Sequence, residues 1–325
     1  MCSLSDIPDI PMHLILDYVG FPSIMSLQKV SSHFRNSILR NKPEFKFQHI
    51  SIILVDNRIE VSWISSSKNF EIWYQYRANG YKVRSIYGEK VVGHCNYIDA
   101  FFKDFKQIMS HQKSVLYLFG IKLNNAVSAQ CLAQFLKTFE ETLKSNPIKT
   151  KKFDLGVSEG NEITSILPCL NSNYLKEFLL FSSNFGFKEI RLNDVVSLEQ
   201  WKNLKRLSIV RMTVSSISMR EFSHFSYMNG EFKHAEDLDA LRQVAMSSSN
   251  FEIFHIKYQD SNDNRRLAEL FGIPFRNEDG NADKWFFNSC ISGKVLQIVH
   301  WTTLDRIIFR SIEGVEVPNG AEIRS

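Results

Sequence analysis

Between residues 115 and 271 of this 325-residue chain, short apolar runs of strand length alternate with amphipathic stretches of helix length. Strands are predicted at 115–123, 152–157, 175–181, 206–211 and 251–258. Helices are predicted at 129–144, 162–170, 198–204, 235–247 and 264–271. The strand starts lie 37, 23, 31 and 45 residues apart. A strand that passes through a helix and returns to a parallel neighbour does so by a right-handed crossover. The chain is therefore predicted to be an α/β protein with a parallel sheet at its centre.

Two of these strands, Lys176-Glu-Phe-Leu-Leu180 and Lys205-Arg-Leu-Ser-Ile209, share the short alternation of leucine-rich-repeat solenoids, although the period is too irregular for a consensus repeat. A curved, leucine-rich-repeat-like α/β array is the expected architecture, with an ordinary open α/β sheet as the alternative. A helix at 98–109, buried through Ile98, Phe101, Phe102, Phe105 and Met109, precedes the array. Terminal strands near 285–287, 295–301 and 306–312 follow it.

Upstream, residues 45–55, 58–64, 69–77 and 81–87 alternate with period two. Asp56-Asn57 and Asn79-Gly80 supply the turns, so a small antiparallel meander is predicted. Its rings Trp63, Trp73, Tyr74 and Tyr76 are read as packing groups. The 88–93 stretch reads as a boundary.

The first 45 residues read as a compact set of short helices. Pro8 and Asp9 suit a first helical turn. Leu14, Ile15, Tyr18 and Val19 then share one face, and Gly20 ends the helix. A second helix from Ser23 would carry Ile24, Leu27, Val30, Phe34 and Ile38 on one stripe. So small a unit does not bury both apolar faces internally, so a partner or a following domain must cover the remainder. The segment is either a docking module or a helical cap on the main domain.

The residues Ile7-Pro8-Asp9, Leu14-Ile15, Ser26-Leu27-Gln28-Lys29-Val30 and Phe34-Arg35 resemble an F-box, with Phe34 where many F-boxes carry Leu or Trp. Phe222-Ser-His-Phe225 is similar to the signature of the FTH domain, with Ser in place of Thr. Ser165-Ile-Leu-Pro-Cys-Leu-Asn171, Leu198-Glu-Gln-Trp-Lys-Asn-Leu204, Ser247-Ser-Ser-Asn-Phe251, Leu267 to Gly272 and Lys294-Val-Leu-Gln-Ile-Val-His-Trp301 look like further landmarks of that domain. The whole chain is similar to the nematode class that joins the two. The resemblance implies an F-box at 1–45, a meander at 46–92, an FTH domain at 93–312 and a tail at 313–325. It also implies that Ile7, Pro8, Ile10, Leu14, Ile15, Val19, Ile24, Leu27, Val30 and Phe34 bind a Skp-family adaptor. Through that adaptor the chain would join a cullin-based ubiquitin ligase, with the FTH domain recognising a target protein.

Other classes find little support. Lys and Arg exceed Asp and Glu by 39 − 35 = 4, too small an excess to argue for nucleic acid. The basic groups at 149–152 and 202–206 read as solvated ends of elements. No apolar run reaches membrane-spanning length, and the N-terminus lacks a leader pattern. Five scattered cysteines form no C-x-x-C pair, so reduced thiols and a cytoplasmic or nuclear setting are expected. No G-x-G-x-x-G, Walker, H-E-x-x-H or G-x-S-x-G motif is present, which leaves a divergent α/β enzyme as a weak alternative. His94-Cys95 offers at most two metal ligands. His224 is expected to complete a local hydrogen bond, and Trp201 to anchor a helix. Asp260, Asp263 and Asp279 sit in loops without fixed geometry. No catalytic residue, cofactor or metal is assigned.

Overall fold

A computed structural model describes residues 9–66, 69–183, 188–215, 217–232, 236–258, 264–276, 282–301 and 306–325. Ile7, Pro8, Asp260, Asp263 and Asp279 lie outside the described residues.

Three short helices come first: α1 (Asp9–Tyr18), α2 (Phe21–Val30) and α3 (Ser32–Asn41). The single helix predicted from Ser23 to Ile38 is in fact two. Ser31 adopts an extended backbone (φ −152°, ψ 141°), and its hydroxyl accepts the His33 N–H at 3.1 Å, capping α3. The apolar residues stay on one side across this break, so their periodicity alone does not reveal it. Gly20 is extended and caps α2, whose first turn holds Pro22.

The meander follows as β1 (Phe47–Val55), β2 (Arg58–Ser65), β3 (Asn69–Arg77), β4 (Gly80–Ser85) and β5 (Gly88–Gly93), each antiparallel to the next. The expected boundary at 88–93 is therefore an edge strand. Its exposed residues lack the one-sided burial that would have marked it in sequence. At the predicted Asn79-Gly80 turn, Gly80 has φ +143°, and a Cβ there would meet the Val92 carbonyl oxygen. Gly80→Ala is expected to cost about 1–3 kcal/mol. A lowered melting temperature, with faster amide exchange in β4 and β5, would show it; an unchanged melt would contradict it.

The chain then alternates as predicted: α4 (Tyr97–Met109), β6 (Leu116–Leu123), α5 (Ala129–Leu143), β7 (Thr150–Val157), α6 (Gly160–Ile166) and β8 (Glu177–Ser182). It continues through β9 (Lys188–Arg191), α7 (Glu199–Lys202), β10 (Arg206–Ser215), β11 (Tyr227–Phe232), α8 (Glu236–Ser247), β12 (Ile253–Tyr258) and α9 (Asn264–Phe271). Four more strands close the chain: β13 (Ala282–Asn288), β14 (Lys294–Trp301), β15 (Arg306–Glu313) and β16 (Ile323–Arg324). Helix α5 buries Phe135, which the sequence reading left off its apolar face, together with the expected Phe139 and Leu143.

All these strands belong to one open, mixed sheet. Its order is β16-β13-β14-β15-β12-β11-β10-β8-β7-β6-β1-β2-β3-β4-β5, with β9 beside β10. From β6 to β12 the neighbours are parallel. The meander is continuous with this array, because β1 pairs parallel with β6 (Ile50↔Phe119) and antiparallel with β2. Each new parallel strand is added on the same side of the last, so right-handed crossovers place their helices on one face. The strand residues on that face are buried. Those on the other, including Lys152, Asp154, Leu179, Ser208, Asn229 and His255, remain partly exposed.

The core is organised as a row across this sheet. Phe70, Trp63, Ile50, Phe119, Phe153, Phe178, Leu207, Met228, Phe254, Phe309, Ile298 and Trp285 are successive register partners. Each is buried. Phe119, Phe153 and Phe178 stack with centroids 5.8 and 5.6 Å apart, so cross-strand ring contact adds to area burial. One apolar row thus connects the meander to the far end of the sheet.

Candidate docking surface

The helices α1 to α3 bury one set of apolar side chains and leave another in water. Met12 and Leu16 on α1, Phe21 and Ile24 on α2, and Phe34 and Ile38 on α3 face inward. Leu14 (58 % exposed), Ile15, Tyr18 (92 %), Val30 (75 %) and Leu39 face outward. Of the sixteen large hydrophobic residues exposed among the described residues, these five fall within a stretch of 26 residues. Scattered single exposed apolar groups need no explanation, but a local concentration marks an interaction surface.

The structure therefore divides the residues named from sequence. Leu14, Ile15 and Val30 are presented to solvent, while Val19 and Leu27 are half-buried against the core. Ile24 and Phe34 are buried, so they support the surface from beneath and are not free to contact a partner. The apolar stripe in the sequence could not distinguish these roles, since a short helix packed on a sheet can bury either edge of its stripe. Tyr18 and Leu39 were not among the named contacts, although Tyr18 belonged to the predicted apolar face.

Aromatic packing fixes this helical unit to the sheet. The Phe21 ring lies 5.0 Å from Phe45, 5.5 Å from Phe47 and 5.7 Å from Phe70, and Trp63 lies 5.1 Å from Phe47. Phe45 stacks on His111 at 4.5 Å, and Nδ1 of His111 donates to the Pro43 carbonyl at 3.1 Å. Beside this seam, Pro22, Met25, Ile72, Val83 and Ile108 line a mainly apolar cleft of about 350 Å3 between α2, β3, β4 and α4. Asp104 in its wall accepts a hydrogen bond from Tyr74 at 2.8 Å. Among the meander rings, Trp63 and Tyr74 are buried as expected. Trp73 and Tyr76 are not core groups, and Trp73 lies between the guanidinium groups of Arg58 and Arg84, each 5.2 Å from its ring.

Burial at the seam has an electrostatic consequence. It holds His111 below the ordinary histidine value of 6.5, with Lys42 and Lys113 adding to the depression and the Pro43 carbonyl opposing it. Its Nε2 has no hydrogen-bond partner among the described residues. His224 is lowered in the same way by burial, and its Nε2 donates to the Trp201 carbonyl at 2.9 Å, the local bond expected from sequence. Just below pH 6.5 the unfolded chain therefore binds more protons than the folded one. The stability contributed by these groups is complete above 6.5 and is lost as pH falls through the depressed folded values. Wild type is expected to melt progressively lower below pH 6.5, and His111→Gln/His224→Gln to flatten that fall. A double variant with the wild-type profile would refute the assignment.

Among the described residues no cluster of three or more His, Cys, Asp or Glu could hold a metal. Burial pushes the Cys169 thiol up to about 12 and raises Cys131, whose Sγ lies 2.9 Å from the Tyr97 hydroxyl, so neither is an activated thiolate. Trp201 is buried as a helix anchor, and its indole N–H donates to the Glu221 carbonyl at 3.4 Å. Among the described residues no helix is long and apolar enough to cross a membrane.

Residues 4–46 match the F-box domain family, and residues 133–275 match the FTH domain family. The chain thus carries both an F-box match and an FTH match. The F-box match covers α1 to α3, which carry the exposed apolar residues, and the FTH match covers most of the parallel array. The chain is 25 % identical over 299 residues to F-box A protein 224 of Caenorhabditis elegans, covering 88 % of this chain and 73 % of that protein. No solved structure matches. F-box domains in general bind Skp-family adaptors, and the domain names point to an adaptor rather than an enzyme.

Proposed function

We propose that this chain is the target-recognition subunit of a Skp-cullin-F-box ubiquitin ligase, acting in the cytoplasm or nucleus. The observation that carries the reading is the concentration of outward apolar side chains on helices that Phe21 fixes to the sheet. Residues 1–45 bind the Skp-family adaptor through Ile7, Pro8, Ile10, Leu14, Ile15 and Val30, with Val19 and Leu27 at the edge of the contact and Ile24 and Phe34 behind it. An adaptor groove that accepts apolar helical anchors is an ordinary recognition mode.

The remainder of the chain, a meander at 46–92 and an FTH domain at 93–312 closed by a tail at 313–325, holds the target. The progressive parallel strands are read as a solenoid-like array of the leucine-rich-repeat kind, whose wide surface suits protein recognition. The chain itself supplies no chemistry. It raises the effective concentration of a target lysine near the charged ubiquitin carrier, a gain from proximity and orientation.

The test is co-purification of the full chain with a Skp-family adaptor, followed by a cullin, with target abundance measured after removal of the chain. Capture of both, with stabilised targets, supports the reading. A folded chain that captures no adaptor overturns it, and capture without any change in target levels would make the protein a scaffold.

A further inference from the structure

The starts of the central parallel strands place three lysines side by side. Lys176 N–H donates to the Lys151 carbonyl at 2.9 Å, and Lys205 N–H donates to the Lys176 carbonyl at 2.8 Å. The same ladder continues from Lys205 to Ser226 and from Ser226 to Glu252. Neighbouring strands lie about 4.8 Å apart, so the three positions span about 10 Å of one sheet edge. All three side chains are exposed, and no ion pair among the described residues involves them.

The nearby acids do not neutralise this row. Glu177 and Glu252 lie 3.9 Å from the Arg206 guanidinium, and Asp154 lies 3.6 Å from Lys152. Like charges on adjacent strands are unfavourable by themselves, and an anionic partner relieves that repulsion. The exposed Tyr117 and Tyr174 rings flank the row, with the Lys149 ammonium 5.9 Å from the Tyr174 ring centre.

At Lys205 the rim opens into a hollow of about 620 Å3. Ser226, Ser249, Asn250 and Ser311 line it with hydroxyl and amide groups; Lys294, paired with Glu313, and Glu252, 3.9 Å from Arg206, share the lining with Lys205. Lysines, small polar groups and exposed rings together suit a polypeptide that carries carboxylates. They suit a nucleic acid poorly. The row spans too few charges to track a phosphate backbone.

We propose that this strand-start rim, the row Lys151–Lys176–Lys205 with the adjoining hollow, is where the FTH domain takes its target, and that it takes an acidic, extended segment of that target. The proposal rests on the target-recognition reading above and gives it a place and a charge. An extended chain laid across the strand starts presents carboxylates on alternate residues to the lysine row, while its backbone reaches the serine and asparagine groups of the hollow. Such contacts are screened, so binding weakens as salt is added.

The experiment uses the full chain and a fluorescein-labelled peptide of alternating Glu and Ala, with a Gln–Ala peptide of equal length as control. Anisotropy is expected to show at least about tenfold tighter binding of the acidic peptide at low salt, with that preference lost in Lys151→Glu/Lys176→Glu/Lys205→Glu. Lys103→Glu, an exposed position on α4, is expected to bind as wild type. If the triple variant melts lower than wild type, Lys176→Gln alone is expected to weaken binding about threefold. Equal binding of the two peptides, or triple-variant binding equal to wild type, overturns the proposal. So does stronger binding of a single-stranded oligonucleotide than of the acidic peptide. The same preparations are passed over immobilised Skp-family adaptor. Adaptor capture without peptide selectivity removes the rim and leaves the ligase reading, and peptide selectivity without adaptor capture does the reverse.

Discussion

Val30→Asp is expected to abolish capture of a Skp-family adaptor while leaving the melting temperature near that of wild type. Val30 is 75 % exposed, so in the free chain the carboxylate would stay hydrated. In the complex the same carboxylate would sit unpaired in an apolar contact, and that desolvation costs a few kcal/mol. Central anchors of such interfaces are worth about 2 kcal/mol or more, a loss of about thirtyfold or greater in affinity. Leu14→Asp should behave alike. Leu27→Asp is a poorer probe, because Leu27 packs partly against the core and its replacement would disturb folding as well. Leu16→Asp, at a fully buried position, should unfold the helical unit outright. Full adaptor binding by both Val30→Asp and Leu14→Asp, measured by interferometry on folded protein, would sink the docking surface.

The largest loss of stability is expected at Trp63. Its side chain is fully buried on β2, with ring centroids 5.1 Å from Phe47, 5.6 Å from Phe105 and 6.5 Å from Phe21. Trp63→Ala should cost about 3–5 kcal/mol through lost burial and the cavity left behind. Because the same rings seat Phe21, adaptor capture should fall together with the melting temperature. Trp63→Phe is the informative partner. The indole N–H has no hydrogen-bond partner among the described residues, so its removal offsets part of the lost volume, and a cost of about 1–2 kcal/mol is expected. Denaturant melts showing Trp63→Ala as stable as wild type would mean that the seam does not hold the two parts together.

The parallel array was legible because each strand and helix carries its own apolar period. The predicted and observed boundaries of α4, α5, β8, β12 and α9 differ by only a residue or two. Strand β11 was hidden by chemistry. Its Asn229-Gly230 pair reads as a hairpin turn, yet Asn229 and Gly230 sit mid-strand between β10 and β12. Restoring β11 divides the apparent 45-residue gap into strand starts at Arg206, Tyr227 and Ile253, a more regular rhythm. Strand β9 was too short to show a period.

Long-range pairing left no local mark. Nothing within 46–92 announces that β1 is also the parallel neighbour of β6, so the meander looked like a separate linker region. The docking surface was half legible for a related reason. Spacing identified the apolar residues of α1 to α3, but only the position of the sheet beneath decides that Ile24 and Phe34 are covered while Leu14 and Val30 are not.

The apolar row that runs register by register from Phe70 to Trp285 also makes the molecule a ruler. Between β3, beside the F-box, and β10, where the lysine row ends, lie six strand-to-strand steps. At about 4.8 Å each, those steps set a separation of about 29 Å along the sheet. Inserting one strand–helix unit would lengthen that separation by a single increment of about 5 Å, and deleting one would shorten it equally. A scaffold graduated in this way tunes the reach between its two ends by counting strands, with no hinge to adjust and no linker to lengthen.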